Sequence, residues 1–169
     1  MTEDDESDRA ARAVAQWRRE FPDWDLRPME ALGRLSETAA VIEREHLAPL
    51  FAAFGLQPGE FDVLASLRRA GAPYEMTPTQ LFEITMLSSG GMTARLDRLE
   101  RMGFVARRPN PDDRRGVLVG LTPSGRDLIE RAVPDHLANQ TSLTTGLTAE
   151  ELASLSALLK KLLRHAQAK

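Results

Sequence analysis

The sequence predicts a mainly α fold (α+β class), in which a winged helix-turn-helix lies between long N- and C-terminal helices. Segments near both ends carry apolar residues every three to four positions, as helices with one buried face do. Between them, two short helical segments flank MLSSGG, and two strand-like runs flank the turn PNPDDRRG. A helix-turn-helix followed directly by a two-stranded hairpin is a winged helix. We expect an acidic disordered tail at 1–8 and one subunit at 9–169, with dimerisation helices at 9–54 and 123–169 and the winged helix-turn-helix at 57–122.

Two helices are predicted before the winged region. Residues 9–20 read RAARAVAQWRRE, and the following FPDWDLRP ends this helix at Pro22. Residues 29–54 form a second helix, which Gly55 terminates. Its apolar stripe consists of Leu32, Leu35, Ala39, Ile42, Leu47, Leu50, Phe51 and Phe54.

Start signals place the helices of the helix-turn-helix. A helix over 57–71 has Pro58 in its first turn. Thr77, Pro78 and Gln80 supply an N-cap, a proline at the first helical position and the glutamine of a capping box, so a short helix begins there. The next helix, MTARLDRLERMG, places three apolar side chains on one face: Met92, Leu96 and Leu99.

The hairpin and the C-terminal helices follow. Strands are predicted at 104–108 and 117–121, and Thr122 caps a helix that Pro134 is expected to kink. Thr148 opens the last helix with a second capping box. This helix carries a stripe of Leu152, Leu155, Leu159 and Leu162. Because such stripes need burial, we expect a homodimer.

Composition and missing motifs exclude several classes of function. The chain has no cysteine, so it has no disulfide, thiolate zinc site or thiol redox switch. Its three histidines lack metal-ligand spacing, and we expect no metal or other cofactor. No phosphate-binding glycine loop, HExxH or GxSxG occurs, which indicates a protein that is not an enzyme. The N-terminus is acidic and no apolar run reaches about 18 residues, so we expect a cytoplasmic protein without membrane contacts.

The charge is unevenly distributed. The net charge is −3, but residues 1–8 contribute five acidic side chains and no basic one, so the remainder carries +2. Residues 88–115 contain seven arginines and four acids. A basic patch on a nearly neutral body is typical of a protein that binds nucleic acid.

The predicted DNA contacts lie in two places. One is the second helix of the helix-turn-helix together with its start, and the other is the hairpin turn. On a helical wheel, Arg98 and Arg101 lie opposite the apolar face and are expected to point outward. Hydroxyl groups and helix N-terminal amides suit phosphates and base edges, and arginines in a narrow turn suit the minor groove. The predicted contacts to double-stranded DNA are Ser88, Ser89, Thr93, Arg98, Arg101, Arg114 and Arg115. A solvated charged helix face and turn is the alternative.

Two aspartates stand at the tip of the same turn. Asp112 or Asp113 is expected to pair with an arginine of the turn and to hold its shape, which leaves the other guanidinium available for DNA.

These residues resemble a known family. The segment RLDRLERMGFVARRPNPDDRRGVLVGLTPSGRDL is similar to the MarR family of bacterial transcription regulators, with its RLxxLExxGxV helix end and DxRxxxVxLTxxG wing. The resemblance covers nearly the whole chain. It implies a winged-helix homodimer that binds a near-palindromic operator, usually as a repressor, and releases it on binding a small ligand. It also implies that Arg115 is tied to an aspartate.

The N-terminal segment WRREFPDWDLRPMEALGRLS resembles the additional helix of the urate-responsive HucR/PecS-like branch of that family. By motif position, the ligand residues of the branch fall on Trp17, Asp62, Thr93 and Arg95, with threonine where the branch has serine. The resemblance implies a urate-like effector, or another aromatic or carboxylate anion.

The helical wheel turns Arg95 partly inward, where Asp62 or an anionic ligand is a suitable partner. Ligand binding at Arg95 is expected to move the recognition helix and weaken operator binding. Three structural alternatives remain: Asp62 favours its helix N-terminus, Trp17 is core, and Arg95 contacts phosphate. Two functional alternatives also remain: a winged-helix regulator without a small-molecule ligand, and a winged-helix module that binds protein.

Overall fold

A computed structural model of the chain describes residues 8–85 and 91–168; at Arg114 and Arg115 it describes the backbone alone. The chain divides into two compact units, Met1–Pro58 and Gly59–Lys169. Of the predicted acidic tail, residues 1–7 lie outside the described part of the chain. Asp8 belongs to the folded unit, because its carboxylate caps the first helix at the amide of Ala11, 2.9 Å away.

In the described residues of the first unit, all regular secondary structure is helical. Helix α1 spans Arg9–Glu20 and α2 spans Arg27–Val41. A π-helical segment, Ile42–Leu47, connects α2 without a break to α3, Ala48–Ala53. The predicted helix over 29–54 is therefore one long helix that widens in its middle, a feature that sequence periodicity does not indicate.

The second unit contains the helix-turn-helix and the hairpin. Its helices are α4 (Glu60–Arg69), α5 (Pro78–Ile84), α6 (Met92–Arg101), α7 (Pro123–Leu143) and α8 (Ala149–Gln167). Its strands are β1 (Glu75–Met76), β2 (Val105–Asn110) and β3 (Asp113–Leu121), which form an antiparallel sheet in the order β1-β3-β2. The predicted helix-turn-helix with a wing is confirmed.

Two details differ from the prediction. Helix α4 begins at Glu60 after a left-handed Gly59, so Pro58 precedes the helix instead of lying in its first turn. Strand β1 has only two residues and was not predicted, because so short a run has no detectable period. Helix α7 contains Pro134 within one continuous element, and the predicted kink there stays a prediction.

The three apolar side chains predicted to share a face of α6 are all buried: Met92, Leu96 and Leu99. The core of the second unit also includes Leu64 and Leu67 of α4 and Ile129 of α7, all with zero exposure. This anchoring decides which face of α6 is left for a partner. Both predicted capping boxes, at Thr77 and at Thr148, are present.

A buried ion pair joins α4 to α6. Glu60 is fully buried at the first position of α4, and its carboxylate accepts a hydrogen bond from the Arg98 guanidinium. A buried carboxylate needs such a partner, because removing a charge from water costs several kcal/mol per ion. The pair therefore fixes the orientation of α6 in addition to its apolar contacts.

A second joint ties the C-terminal end of α6 to the start of α7. The hydroxyls of Thr122 and Ser124 both donate to the Gly103 carbonyl, at 2.6 and 2.7 Å. A side chain at Gly125 would place its Cβ 1.9 Å from the Phe104 carbonyl oxygen. The backbones thus approach so closely that only glycine fits at position 125.

Tyr74 anchors the segment before β1. The guanidinium carbons of Arg68 and Arg126 lie 5.2 and 5.1 Å from its ring centroid, within cation–π range. Both arginines also bind Glu130, at 2.8 and 2.9 Å. This cluster joins α4, the β1 segment and α7.

We expect Gly125→Ala to lower the free energy of unfolding by about 2 kcal/mol or more, since a methyl group cannot enter the joint without moving backbone. Urea unfolding followed by circular dichroism measures the change. Gly146→Ala is the matched control, because nothing lies within 4 Å of a Cβ there. Equal stability of the two variants would contradict this description of the joint.

We expect Arg98→Met to lower the free energy of unfolding by about 3 kcal/mol, because it leaves the buried Glu60 carboxylate without its guanidinium. The double variant Glu60→Leu/Arg98→Met is expected to recover much of this loss, since it removes both charges together. Arg101→Met, at an exposed position of the same helix, serves as the control. A single Arg98 variant as stable as that control would be inconsistent with a stabilising buried pair.

Candidate nucleic-acid interface

The N-terminal end of α6 is exposed and shaped by a glycine. Gly91 precedes the helix with a φ of 105°, a conformation that favours glycine. Thr93, the second residue of the helix, is exposed. The Arg95 guanidinium folds back over this end, with Nη1 2.9 Å from where a Cβ on Gly91 would lie. Ser88 and Ser89, also predicted DNA contacts, lie outside the described residues.

The two arginines predicted to face outward from α6 differ. Arg101 is exposed, as predicted. Arg98 is half-buried and binds Glu60, which corrects the prediction that it points to solvent. The helical wheel gives the correct angle relative to the apolar face but does not show that α4 supplies a buried acid there.

Arg107 of β2 holds two carboxylates of α6 at once. Its Nη1 donates to Glu100 Oε2 at 2.6 Å, and its Nη2 donates to Asp97 Oδ1 at 2.7 Å. Its backbone amide also donates to Glu100 Oε1 at 3.2 Å. Burial opposes the charge, but the two carboxylates together raise the pKa of Arg107. We name Asp97, Glu100 and Arg107 the helix–wing clamp.

Arg108, the next residue of β2, binds the short strand β1 instead. It forms a two-pronged pair with Glu75, at 2.8 and 2.5 Å, and this hydrogen-bonded guanidinium lowers the pKa of the Glu75 carboxyl. Within the described part of the predicted basic patch, Arg98, Arg107 and Arg108 bind carboxylates. The positive charge of the patch is smaller than the sequence indicates.

The wing is longer than predicted. Strands β2 and β3 pair from Val105–Leu121 to Asn110–Asp113, with an irregularity after Pro109. At the tip, the Asp112 amide donates to the Asn110 side chain at 3.1 Å. The side chains of Arg114 and Arg115 lie outside the description, so their predicted groove contacts and aspartate pairing stay predictions.

Trp17 belongs to an aromatic cluster in the first unit. Its ring centroid lies 5.6 Å from that of Phe21 and 6.3 Å from that of Trp24, and Phe21 stacks on Trp24 at 4.0 Å. All three side chains are at least 38% exposed. Trp17 is therefore not ordinary core within the chain.

Asp62, predicted to face a ligand, lies in α4 beside His136 of α7. Burial lowers the pKa of His136, and the negative charge of Asp62 opposes that shift. The ring of Phe61 lies 4.7 Å from that of His136. The structure thus brings Asp62 close to a histidine that the sequence did not connect with it, because the two residues are 74 positions apart.

Other kinds of site are not found in the described part of the chain. There, no group of three or more histidine, aspartate or glutamate side chains could hold a metal ion. Within the same residues, no helix combines the length and the apolar character needed to cross a membrane.

Comparison with known proteins identifies the family. The family model described as MarR family matches residues 54–116. PecS of Dickeya dadantii (strain 3937), an HTH-type transcriptional regulator, is 41% identical over 152 residues, which cover 90% of this chain and 91% of that protein. The multiple antibiotic resistance protein MarR of Escherichia coli K12 is 41% identical over 122 residues, covering 70% and 78%.

The fold is likewise that of a solved relative. The crystal structure of a mutant E. coli MarR complexed with operator DNA matches with a TM-score of 0.70 and 35% identity, covering 82% of this chain and 97% of that one. This confirms the winged-helix architecture, and the relatives are regulators, not enzymes. On this likeness in sequence and fold, the chain belongs to the MarR family of transcriptional regulators.

Proposed function

We propose that the protein is a sequence-specific DNA-binding repressor that acts as a homodimer on a near-palindromic operator and releases it when a small anionic or aromatic ligand binds. The observation that carries the proposal is the mounting of α6: one face is buried in the core, while Thr93 and Arg101 are exposed beside a long wing. A helix held in this way presents its N-terminal half to a major groove. A relative of the same fold was crystallised with operator DNA.

The proposed DNA contacts follow from exposure and charge. Thr93 and Arg101 contact the operator from α6, together with Ser88 and Ser89 on the grounds of sequence alone. Arg114 and Arg115, at the wing tip, contact the minor groove on the same grounds. Arg98 is left out, because its guanidinium binds Glu60 inside the unit.

Dimerisation is supported by α8. Every residue of this 19-residue helix is exposed in the single chain. Its exposed leucines include the four of the predicted stripe: Leu152, Leu155, Leu159 and Leu162. An apolar helix face of this length is costly in water, and a second copy would bury it.

The proposed ligand residues keep the chemistry that an anion requires. In the second unit, Arg95 supplies a guanidinium at the start of α6, Thr93 a hydroxyl, and Asp62 an acceptor on α4. In the first unit, Trp17 supplies an exposed ring for stacking. A ligand held by Arg95 acts directly on the helix that binds DNA.

Operator binding is tested by titrating a labelled duplex from the region upstream of the gene with the purified protein. We expect two chains per duplex and an affinity that falls steeply with salt, because several phosphate contacts release counterions. Arg101→Ala is expected to weaken binding and to reduce the salt slope by about one. Binding that hardly depends on salt would contradict the proposal and favour a protein partner.

Ligand response is tested by adding urate, xanthine and a panel of aromatic acids to the preformed complex. We expect one of them to release the wild-type protein and to leave Arg95→Ala on the DNA. Arg101→Ala is the control, because it lowers DNA affinity without touching the proposed ligand residues and is expected to keep the response. A full response in Arg95→Ala would disprove the role of that residue, and Trp17→Ala tests the aromatic contribution separately.

A further inference from the structure

We propose that Arg107 is a positioning residue that fixes the wing to the recognition helix α6, so that the wing and the helix bind the operator as one rigid unit. The inference rests on the proposed DNA-binding function and names a residue that is not itself among the proposed DNA contacts. It is carried by the helix–wing clamp, in which one guanidinium from β2 bridges two acids of α6.

In the clamp, one guanidinium donates to two carboxylates on the same side of α6. Asp97 and Glu100 are three residues apart, so both lie on the same side of the helix. The planar fork of Arg107 reaches one with each terminal nitrogen, at 2.7 and 2.6 Å. A guanidinium is suited to such a double contact, because its donors are fixed relative to one another.

The clamp also joins α6 to β2, two elements that the backbone alone would allow to move relative to one another. Helix α6 ends at Arg101 and β2 begins at Val105, so Met102–Phe104 alone connects them along the backbone. The contact from the Arg107 side chain to Asp97 lies more than one helical turn before that connection. It therefore resists rotation of the wing about the helix end, which a contact at the connection could not do.

The charges of the clamp make its role testable, because two effects oppose each other. Asp97 and Glu100 are acids on a helix proposed to lie against phosphates, where negative charge weakens binding to any duplex. Neutralising them should strengthen binding if electrostatics alone mattered. If they hold the wing in place, neutralising them should cost discrimination between the operator and other DNA.

Arg108 provides the matched control. It is the adjacent residue of the same strand, carries the same charge, and forms a pair of similar geometry with Glu75 of β1. Arg107→Ala and Arg108→Ala therefore remove the same charge from the wing. Only Arg107→Ala also removes the side-chain contacts between the wing and α6.

The experiment measures the affinity of each variant for the operator duplex and for a generic duplex of equal length at one salt concentration. We expect Arg108→Ala to weaken both alike and to keep their ratio. We expect Arg107→Ala to lower the ratio by roughly tenfold, about the cost of one mismatched base pair. The double variant Asp97→Asn/Glu100→Gln is expected to bind generic DNA more tightly and yet to lose a similar factor in the ratio.

The outcomes separate the inference from the function on which it rests. Equal ratios for Arg107→Ala and Arg108→Ala, or a double variant that gains affinity equally for both duplexes, would overturn the positioning role alone. Failure of the unsubstituted protein to bind any duplex would overturn the proposed function and this inference with it. Thermal unfolding checks that each variant is folded; if Arg107→Ala is not, the double variant, which alters two partly exposed acids, decides.

Discussion

The arrangement of the second unit depends on the burial of one carboxylate. Glu60 has no exposure to solvent, and its charge is compatible with that position because Arg98 of α6 reaches it. A pair of this kind adds little net stability compared with apolar residues of equal size, but it is costly to separate. It therefore acts mainly as a constraint on register. If α4 and α6 rotated relative to one another, the buried Glu60 carboxylate would lose the Arg98 guanidinium.

This constraint divides the arginines of the basic patch into two kinds. Arg98, Arg107 and Arg108 each bind a carboxylate and determine where α6, β2 and β1 lie. Arg101 is exposed on the side of α6 away from the core. Arginine side chains thus have two roles here: Arg98, Arg107 and Arg108 hold the DNA-binding elements in place, and Arg101 extends from their surface. A nearly neutral body can still present a basic edge, because the acids that balance the patch are used in holding it together.

The sequence predicts those parts of the structure that depend on neighbouring residues. Capping boxes at Thr77 and Thr148, the buried face of α6 and the hairpin all follow from local chemistry, and they are confirmed. The partners of Glu60 and Arg107 could not be predicted in this way. Glu60 and Arg98 are 38 positions apart, and a glutamate at a helix start is usually explained by the helix dipole. Arg107 lies within reach of Asp97 only because the chain turns back after α6.

The same joints limit how a ligand signal can act. Arg98, in the C-terminal half of α6, binds Glu60, and the Gly103 carbonyl just after the helix accepts hydrogen bonds from Thr122 and Ser124. The recognition helix therefore cannot shift alone without separating buried polar groups from their partners. In the proposed ligand response, a small movement at Arg95 would therefore be passed on to α4 and α7 together. For the proposed ligand-responsive dimer, the least costly response would be movement of the whole DNA-binding region relative to its partner copy, as in other rigid-body transitions. If two operator half-sites fix the spacing of the two recognition helices, as proposed, a change of that spacing would be sufficient to lower affinity without unfolding either subunit.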